Sequence, residues 1–432
     1  MADASTTQDN LLAQPLTLPN GSVLRNRIAK SAMSEALASY DNHVTPLLPA
    51  LYRRWAQSGI GLLITGNVMI DRRALGEPGN VVLEDDADLP LLRQWAEAAT
   101  AQGVQIWVQL NHPGKQSPKG LNDYNLSPSA IPFRKDMAAF FDTPRETTPE
   151  QIKDIIARFG RSAALAKQAG FSGVQIHGAH GYLVSQFLSP HHNQRGDQWG
   201  GSAENRRRFV LAVYAEIRRQ VGPEFPVGIK LNSADFQKGG FSEEESLEVI
   251  RALAAAGIDL VEISGGTYES PAMTGVTRQK ASTAAREAYF LEFARDLAAT
   301  ARMPLMVTGG IRRRAVVQQA LDGGVAMAGI ASALALAPDL PRRWQAGEDA
   351  APALPPIRWK HKLLAARAYM ASIKYQMREL SRGRATRPRV SPLRALLLER
   401  LDVTRRTREY RIWMGAAGWR GTEIFITKRR KA

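Results

Sequence analysis

Apolar and polar positions along the 432 residues follow a repeating order. A short apolar run of strand type is followed by a turn of glycine or small polar residues, then by a longer stretch with apolar residues at every third or fourth position. The strand-type runs fall at 27–33, 61–70 (GLLITGNVMI), 104–110 (VQIWVQL), 173–177, 226–231 (PVGIKL), 258–264 (IDLVEIS), 303–308 and 325–330. Helical spacing fills 49–58, 90–103, 149–169, a stretch that starts at the surface charges Arg206 to Arg208, part of 239–257, and 288–301. Thr148 with Gln151 is a capping box that opens the third of these helices, and Gly170 ends it. In 104–110, Val104, Ile106 and Val108 share one face and Gln105, Trp107 and Gln109 the other. A barrel strand turns its apolar face to the surrounding helices, so the glutamine face points inward. Eight strands alternating with helices predict an α/β fold, a TIM (β/α)8 barrel. Ser34, Gln109, His177, Lys230, Gly310 and Gly329 all lie at the carboxyl ends of its strands.

Past this pattern, Pro352 to Pro356 reads as a hinge. Residues 359–380 place Leu363, Ala366, Met370, Ile373, Met377 and Leu380 at helical spacing, and Ser391-Pro392 opens a further helix with an apolar face at Leu393, Leu397 and Leu401. Charge divides the chain at the same place. Residues 351–432 hold 21 Lys+Arg and 5 Asp+Glu; the whole chain has 57 and 41, which leaves 36 of each sign in residues 1–350. The expected domains are therefore a neutral barrel, 1–350, and a basic, mainly helical C-terminal extension, 351–432. The extension either packs on the barrel or on a second subunit of a homo-oligomer with its Arg and Lys in water, or docks on an anionic membrane surface. Nucleic acid is disfavoured, because no binding module accompanies the charge. No apolar run approaches the ~18 residues of a membrane span, and the first 20 residues lack a leader pattern. The expected location is cytoplasmic, or peripheral at a membrane surface. The chain has no cysteine, which excludes disulfides, thiolate nucleophiles and Cys-ligated zinc or iron–sulfur clusters.

Candidate chemistry gathers in GVQIHGAHGYLVSQFLSPHHNQRGDQWGGSAENRRR, from Gly173 to Arg208. His177, His180 and Tyr182 follow the fourth strand within six positions, three groups that can donate or hold protons. Histidines at a strand exit are equally often satisfied loop polars. No cysteine or H-E-x-x-H pattern stands near them, so no metal is expected. Residues 111–149 form a long Pro- and Ser-containing excursion of the kind that shapes a pocket over a barrel mouth.

The strings IHGAHGYLVSQFLSP and NQRGDQWGGSAENRRRF resemble the signature of the old yellow enzyme family of flavin-dependent ene-reductases, and the likeness runs from about Leu16 to Pro341. The resemblance implies FMN in the barrel mouth, reduced by NAD(P)H, with His177 and His180 gripping the carbonyl oxygen of an unsaturated substrate and Tyr182 as proton donor. It places Ala32, Met33 and Ser34 beside the flavin, Ser34 toward its O4 edge, and brings the backbone at Gly66-Asn67 against the ring. Gln109 would read the pyrimidine edge, Lys230 would face N1–C2=O, and Tyr268 would lie over the substrate pocket. Gly309, Gly310, Gly329, Ala331 and Ser332 would form the phosphate site. Four residues depart from the family pattern: Asn67 stands where many relatives have a small residue, Lys230 where many have Arg, Ser332 where an Arg is usual, and Ala326 where an Asp is usual. The last two are expected to weaken the hold on FMN. The implied reaction passes hydride from NAD(P)H through flavin N5 to the C=C bond of an α,β-unsaturated carbonyl compound. An NAD(P)H oxidase or quinone reductase on the same flavin is an alternative, as is a flavin-poor barrel scaffold whose basic tail binds an anionic surface.

Overall fold

The structure is a computed structural model that describes residues 11–266 and 290–418. Eight parallel strands close a barrel: β1 (Ile28–Lys30), β2 (Leu62–Met69), β3 (Gln105–Asn111), β4 (Gly173–Gly178), β5 (Val227–Asn232), β6 (Leu260–Ser264), β7 (Leu305–Val307) and β8 (Met327–Ile330). Each strand pairs with the next in sequence, and β8 closes on β1. The outward faces meet helices α1 (Leu47–Ala56), α2 (Leu89–Thr100), α3 (Pro149–Gln168), α4 (Leu183–Leu188), α5 (Ala203–Val221), α6 (Glu243–Ala256), α7 (Leu291–Ala298), α8 (Arg314–Asp322), α9 (Ser332–Leu336) and α10 (Leu340–Gln345). The eight-stranded barrel with its helices is the TIM architecture that the alternation predicts. Inside, Ala29, Leu62, Ile64, Trp107, Leu260, Met306 and Met327 pack with Leu16, Leu18 and Leu24 of a short antiparallel pair that precedes β1. This apolar plug fills the lower barrel and leaves the polar inward residues to the carboxyl-end mouth.

The strand predicted at 27–33 is shorter, Ile28–Lys30. Ser31 still donates its N–H to Ile330 O at 2.9 Å, after which the chain leaves the ladder. Its course is set by a buried charge cluster behind the barrel wall. Lys30 points out between β1 and α1, where Nζ donates to Ile64 O at 2.7 Å and lies over the rings of Tyr52 and Trp55. Glu35 folds back to within 3.6 Å of that ammonium and accepts the Gly66 N–H at 3.0 Å. Residues 32–34 are thereby laid against the carboxyl end of β2. A Cβ on Gly66 would stand 1.9 Å from Glu35 Oε2 and 2.4 Å from the Met33 carbonyl, so only glycine allows this segment to lie on β2.

Thr148 and Gln151 form the predicted capping box of α3, and Ser242 with Glu245 forms a second one on α6. Arg206, expected at the surface, is buried. Its Nε donates to Leu188 O at 3.1 Å and Nη2 pairs with Glu245. The reason is the helix start: Ser202 caps α5, and position 206 then falls on the inner face.

The extension contributes α11 (Lys362–Ser381) and α12 (Pro392–Ala416). α11 lies on α1 and α9 and buries Ile373, Met377 and Leu380. α12 packs on α11, but not by the face its leucines suggest. It buries Ala395, Tyr410 and Met414 and turns Glu399, Asp402 and Arg406 inward, while Leu393, Leu397 and Leu401 stay 54–68% exposed. The acidic residues select this face, because Arg378 and Lys374 of α11 meet them there.

Candidate active site

Barrel register brings the predicted residues together. Asn67 of β2 stands beside Gln109 of β3, Gln109 beside Gln175 of β4, His177 beside Lys230 of β5, and Lys230 beside Glu262 of β6. All face inward; hydrogen bonds join Gln109, Gln175 and Glu262, and an ion pair joins Glu262 to Lys230. Gln109 Nε2 donates to Gln175 Oε1 at 2.8 Å, Gln175 Nε2 to Glu262 Oε2 at 2.8 Å, and Lys230 Nζ lies 3.0 Å from Glu262 Oε1. Lys230 is thus half of an ion pair, not the lone cation that its place at a strand exit suggests.

Beside this network stand the histidines and the tyrosine. The His177 ring meets that of His180 edge-on at 5.3 Å and that of Tyr182 at 4.7 Å. Ala179 N–H donates to His177 Nδ1 at 3.4 Å, which puts the imidazole proton on Nε2. His180 Nε2 lies 2.7 Å from Ser264 Oγ, leaving Nδ1 for anything else in the mouth. The His180 backbone has a left-handed φ of 63°, held by Asn232 Oδ1, which accepts its N–H at 3.0 Å, and by Gln116, which donates to its carbonyl at 2.9 Å. Burial, and after it the cation of Lys230, lowers the pKa of His180 to about 3; burial and then the neighbouring His180 and Lys230 push His177 well below the ordinary value. Both rings are neutral at pH 7.

The remaining predicted residues line the rim. Ala32, Met33 and Ser34 lead from β1 along the carboxyl end of β2, and Ser34 Oγ donates to Glu77. Ser31 Oγ and Thr308 Oγ1, 3.0 Å apart, tie β1 to β7, and Thr308 Oγ1 also donates to Gly329 O at 3.2 Å. Gly309 and Gly310, with φ of 119° and 70°, turn the chain out of β7, and Ala331-Ser332 lead β8 into α9. Ala326 lies at the opposite end, at the entrance to β8. Its carbonyl accepts from Arg27 Nη1 at 3.1 Å, while Arg27 Nε is buried without a partner. The missing carboxylate at 326 is therefore felt by Arg27 and not by a ligand in the mouth. Tyr268 lies outside the described residues.

This donor set fits a flavin. Asn67 Oδ1 is buried at the mouth without a partner, and Gln109 spends one of its two amide hydrogens on Gln175 while its carbonyl remains an acceptor. Lys230 brings a cation to the network, and a phosphate at the β7 and β8 exits would meet the Gly309-Gly310 backbone and the Ser332 hydroxyl. Gln175, Glu262, Ser264 and Asn232 were not among the predicted residues. The period of two would have found them: Gln175 shares the face of His177, Asn232 that of Lys230, and Glu262 and Ser264 share one face of β6.

A sequence profile described as the NADH:flavin oxidoreductase / NADH oxidase family matches residues 11–350. The NADH-dependent flavin oxidoreductase iliE of Hypocrea jecorina (strain QM6a) is 36% identical over 352 residues, 76% of this chain and 87% of that one. Among solved structures, a 2-naphthoyl-CoA reductase in complex with 2-naphthoyl-CoA superposes with a TM-score of 0.71 at 27% identity, over 78% of this chain and 52% of that one. An old yellow enzyme homologue from Zymomonas mobilis shares the fold with a TM-score of 0.67 at 23% identity, over 80% of this chain and 95% of that one.

Proposed function

The chain belongs to the NADH:flavin oxidoreductase / NADH oxidase family, FMN-dependent oxidoreductases of the old yellow enzyme type, and we propose that it reduces the activated C=C bond of α,β-unsaturated carbonyl compounds. FMN, when bound, would supply the hydride-transfer chemistry between NADH or NADPH and the substrate. The chain's own residues hold and polarise. His177 offers Nε2–H to the substrate oxygen, and His180 offers Nδ1–H when Ser264 donates to its Nε2. Because burial keeps both rings neutral, they act as hydrogen-bond donors without giving up a proton. Tyr182, packed on His177, is the residue that protonates the α-carbon. Asn67, Gln109, Lys230 and the rim at 32–34 hold the ring, and Gly309, Gly310, Gly329, Ala331 and Ser332 the phosphate. The observation that carries this reading is the meeting of His177, His180 and Tyr182 beside the buried Lys230–Glu262 pair. The test is a visible spectrum of the purified protein, reduced anaerobically with NADH or NADPH and then mixed with cyclohexenone. A flavin band that bleaches and returns with the enone is expected. Return only with oxygen or a quinone would make the protein an oxidase or quinone reductase, and a protein that takes up no FMN would remove both readings.

The extension supports a second reading. The outward face of α12 carries exposed Leu393, Leu397, Leu398 and Leu401 among exposed Arg394, Arg400, Arg405 and Arg408, and its acids Glu399 and Asp402 face inward. An apolar row fringed by arginine complements an anionic lipid surface, whereas a second copy of the same face would set arginines against each other.

A further inference from the structure

The extension reaches the rim of the mouth. Lys374 of α11, 11% exposed, donates from Nζ to Glu77 Oε2 at 2.6 Å and to Glu399 Oε1 of α12 at 2.9 Å. Glu77 sits in the loop after β2, and its other oxygen, Oε1, accepts the hydroxyl proton of Ser34. A continuous polar path therefore runs from both extension helices to Ser34 in the segment that lies on β2. α12 also holds the segment after β1, at Ala38, and the loop that carries Glu77, at Arg72. Arg406 of α12 donates to Ala38 O, and Tyr410 Oη donates to Arg72 O at 2.6 Å. Burial alone would raise the Glu77 carboxyl, but the Lys374 ammonium and its hydrogen bond hold it below the ordinary carboxylate range.

A serine hydroxyl has one proton. At Ser34 that proton is spent on a carboxylate, so the oxygen turns only lone pairs to whatever lies in the mouth. We propose that Lys374 and Glu77 are positioning residues of the flavin site, through which the C-terminal extension fixes Ser34 as a hydrogen-bond acceptor toward the bound ring. This rests on the flavin reading above and departs from the expectation that Ser34 donates to a flavin oxygen. An N–H of the ring, not a C=O, is what such a serine favours. The extension then acts as a part of the oxidoreductase itself, whatever surface its outer face meets.

The test uses the full-length holoprotein and reads the midpoint potential of bound FMN and the FMN dissociation constant. In Glu77→Gln the amide oxygen must face the Lys374 ammonium, which turns the NH2 group to Ser34 and frees the serine proton for the ring. The potential is then expected to rise, because a new donor stabilises the negative charge of the reduced form. Lys374→Met is expected to weaken FMN binding about tenfold, the scale of one charge-assisted contact, and Lys374→Arg to restore it. Should Lys374→Met fail to fold because Glu77 is left unpaired, the double variant Glu77→Gln/Lys374→Met removes both charges and is read in the same way. A merely structural role would lower the melting temperature and leave the potential alone. Variants that hold FMN with wild-type potential and affinity overturn the proposal and spare the flavin reading, whereas wild-type protein that takes up no FMN overturns both.

Discussion

Lys230 Nζ lies 3.0 Å from Glu262 Oε1 on the adjacent strand, and neither side chain is more than 4% exposed. Each charge is tolerated in the barrel only because of the other. Glu262→Gln keeps the shape of the network and removes the anion, so the midpoint potential of bound FMN should rise as the Lys230 cation becomes uncompensated. Lys230→Met leaves a buried carboxylate alone and should cost about 3–5 kcal/mol in denaturant unfolding. Equal, small effects of the two substitutions would mean that water screens the pair.

Tyr182 packs on His177 at the mouth. Tyr182→Phe should slow reoxidation of the flavin by an enone by roughly 10²–10⁴-fold, the usual worth of a general acid. Bleaching by NADH should change little, since that step needs no proton from the tyrosine. Stopped-flow absorbance separates the two half-reactions, and equal slowing of both would remove Tyr182 from the role.

His112, His177, His180 and His192 are all depressed below the ordinary 6.5, burial being the largest cause in each, to about 4 for His112 and about 3 for His180. Below pH 6.5 the unfolded chain takes up protons that the folded chain refuses. Stability should therefore fall as pH drops from about 6.5 toward 4. Asp71 joins only later: burial pushes it up, but Arg158 and Arg73 bring it down to about 2, so its loss comes below its ordinary 3.8. Urea midpoints measured across this range would show the decline, and a flat profile between pH 7 and 5 would show that the histidines charge freely in the folded state.

Arg27 Nε is buried without a partner beside Ala326. Ala326→Asp should supply the missing carboxylate and stabilise the protein by ~1 kcal/mol without touching FMN affinity. Ser332→Arg, at the opposite end of the same strand, should do the reverse, tightening FMN about tenfold with little change in apoprotein stability. Thermal melts of the apoprotein and flavin fluorescence titrations keep the two apart. Both substitutions acting on affinity would contradict the placement of Ala326 away from the mouth.

On the outward face of α12, Leu397→Glu with Leu401→Glu should abolish co-sedimentation with vesicles rich in phosphatidylserine and leave NADH-driven bleaching unchanged. Both leucines are more than half exposed, so folding should be spared. Absence of wild-type binding to such vesicles at low salt would rule out an anionic lipid surface as the partner of this face.

Alternation along the chain determined most of the barrel. It identified the eight strands, and it put Gln109 on an inward face and His177 and Lys230 at the mouth, because side chains on a strand alternate between two faces whatever the neighbours are. The motif from His177 to Tyr182 was legible for a related reason: its three groups are local in sequence and stay local in the fold. Capping at Thr148 and Gln151 was equally local. Tertiary structure decided what stands opposite what. No strand by itself reveals that Lys230 faces Glu262, since that depends on the stagger with which the barrel closes. The early exit of β1 follows from Glu35 reaching back to Lys30 and Gly66, a contact across 31 residues. On α12 the leucine row and the buried row overlap in sequence, and the cations of α11 chose the row that carries Glu399 and Asp402, leaving the leucines outside. That choice also carried Lys374 to Glu77 and so to Ser34, a link between positions 374 and 34 that only the packed chain contains.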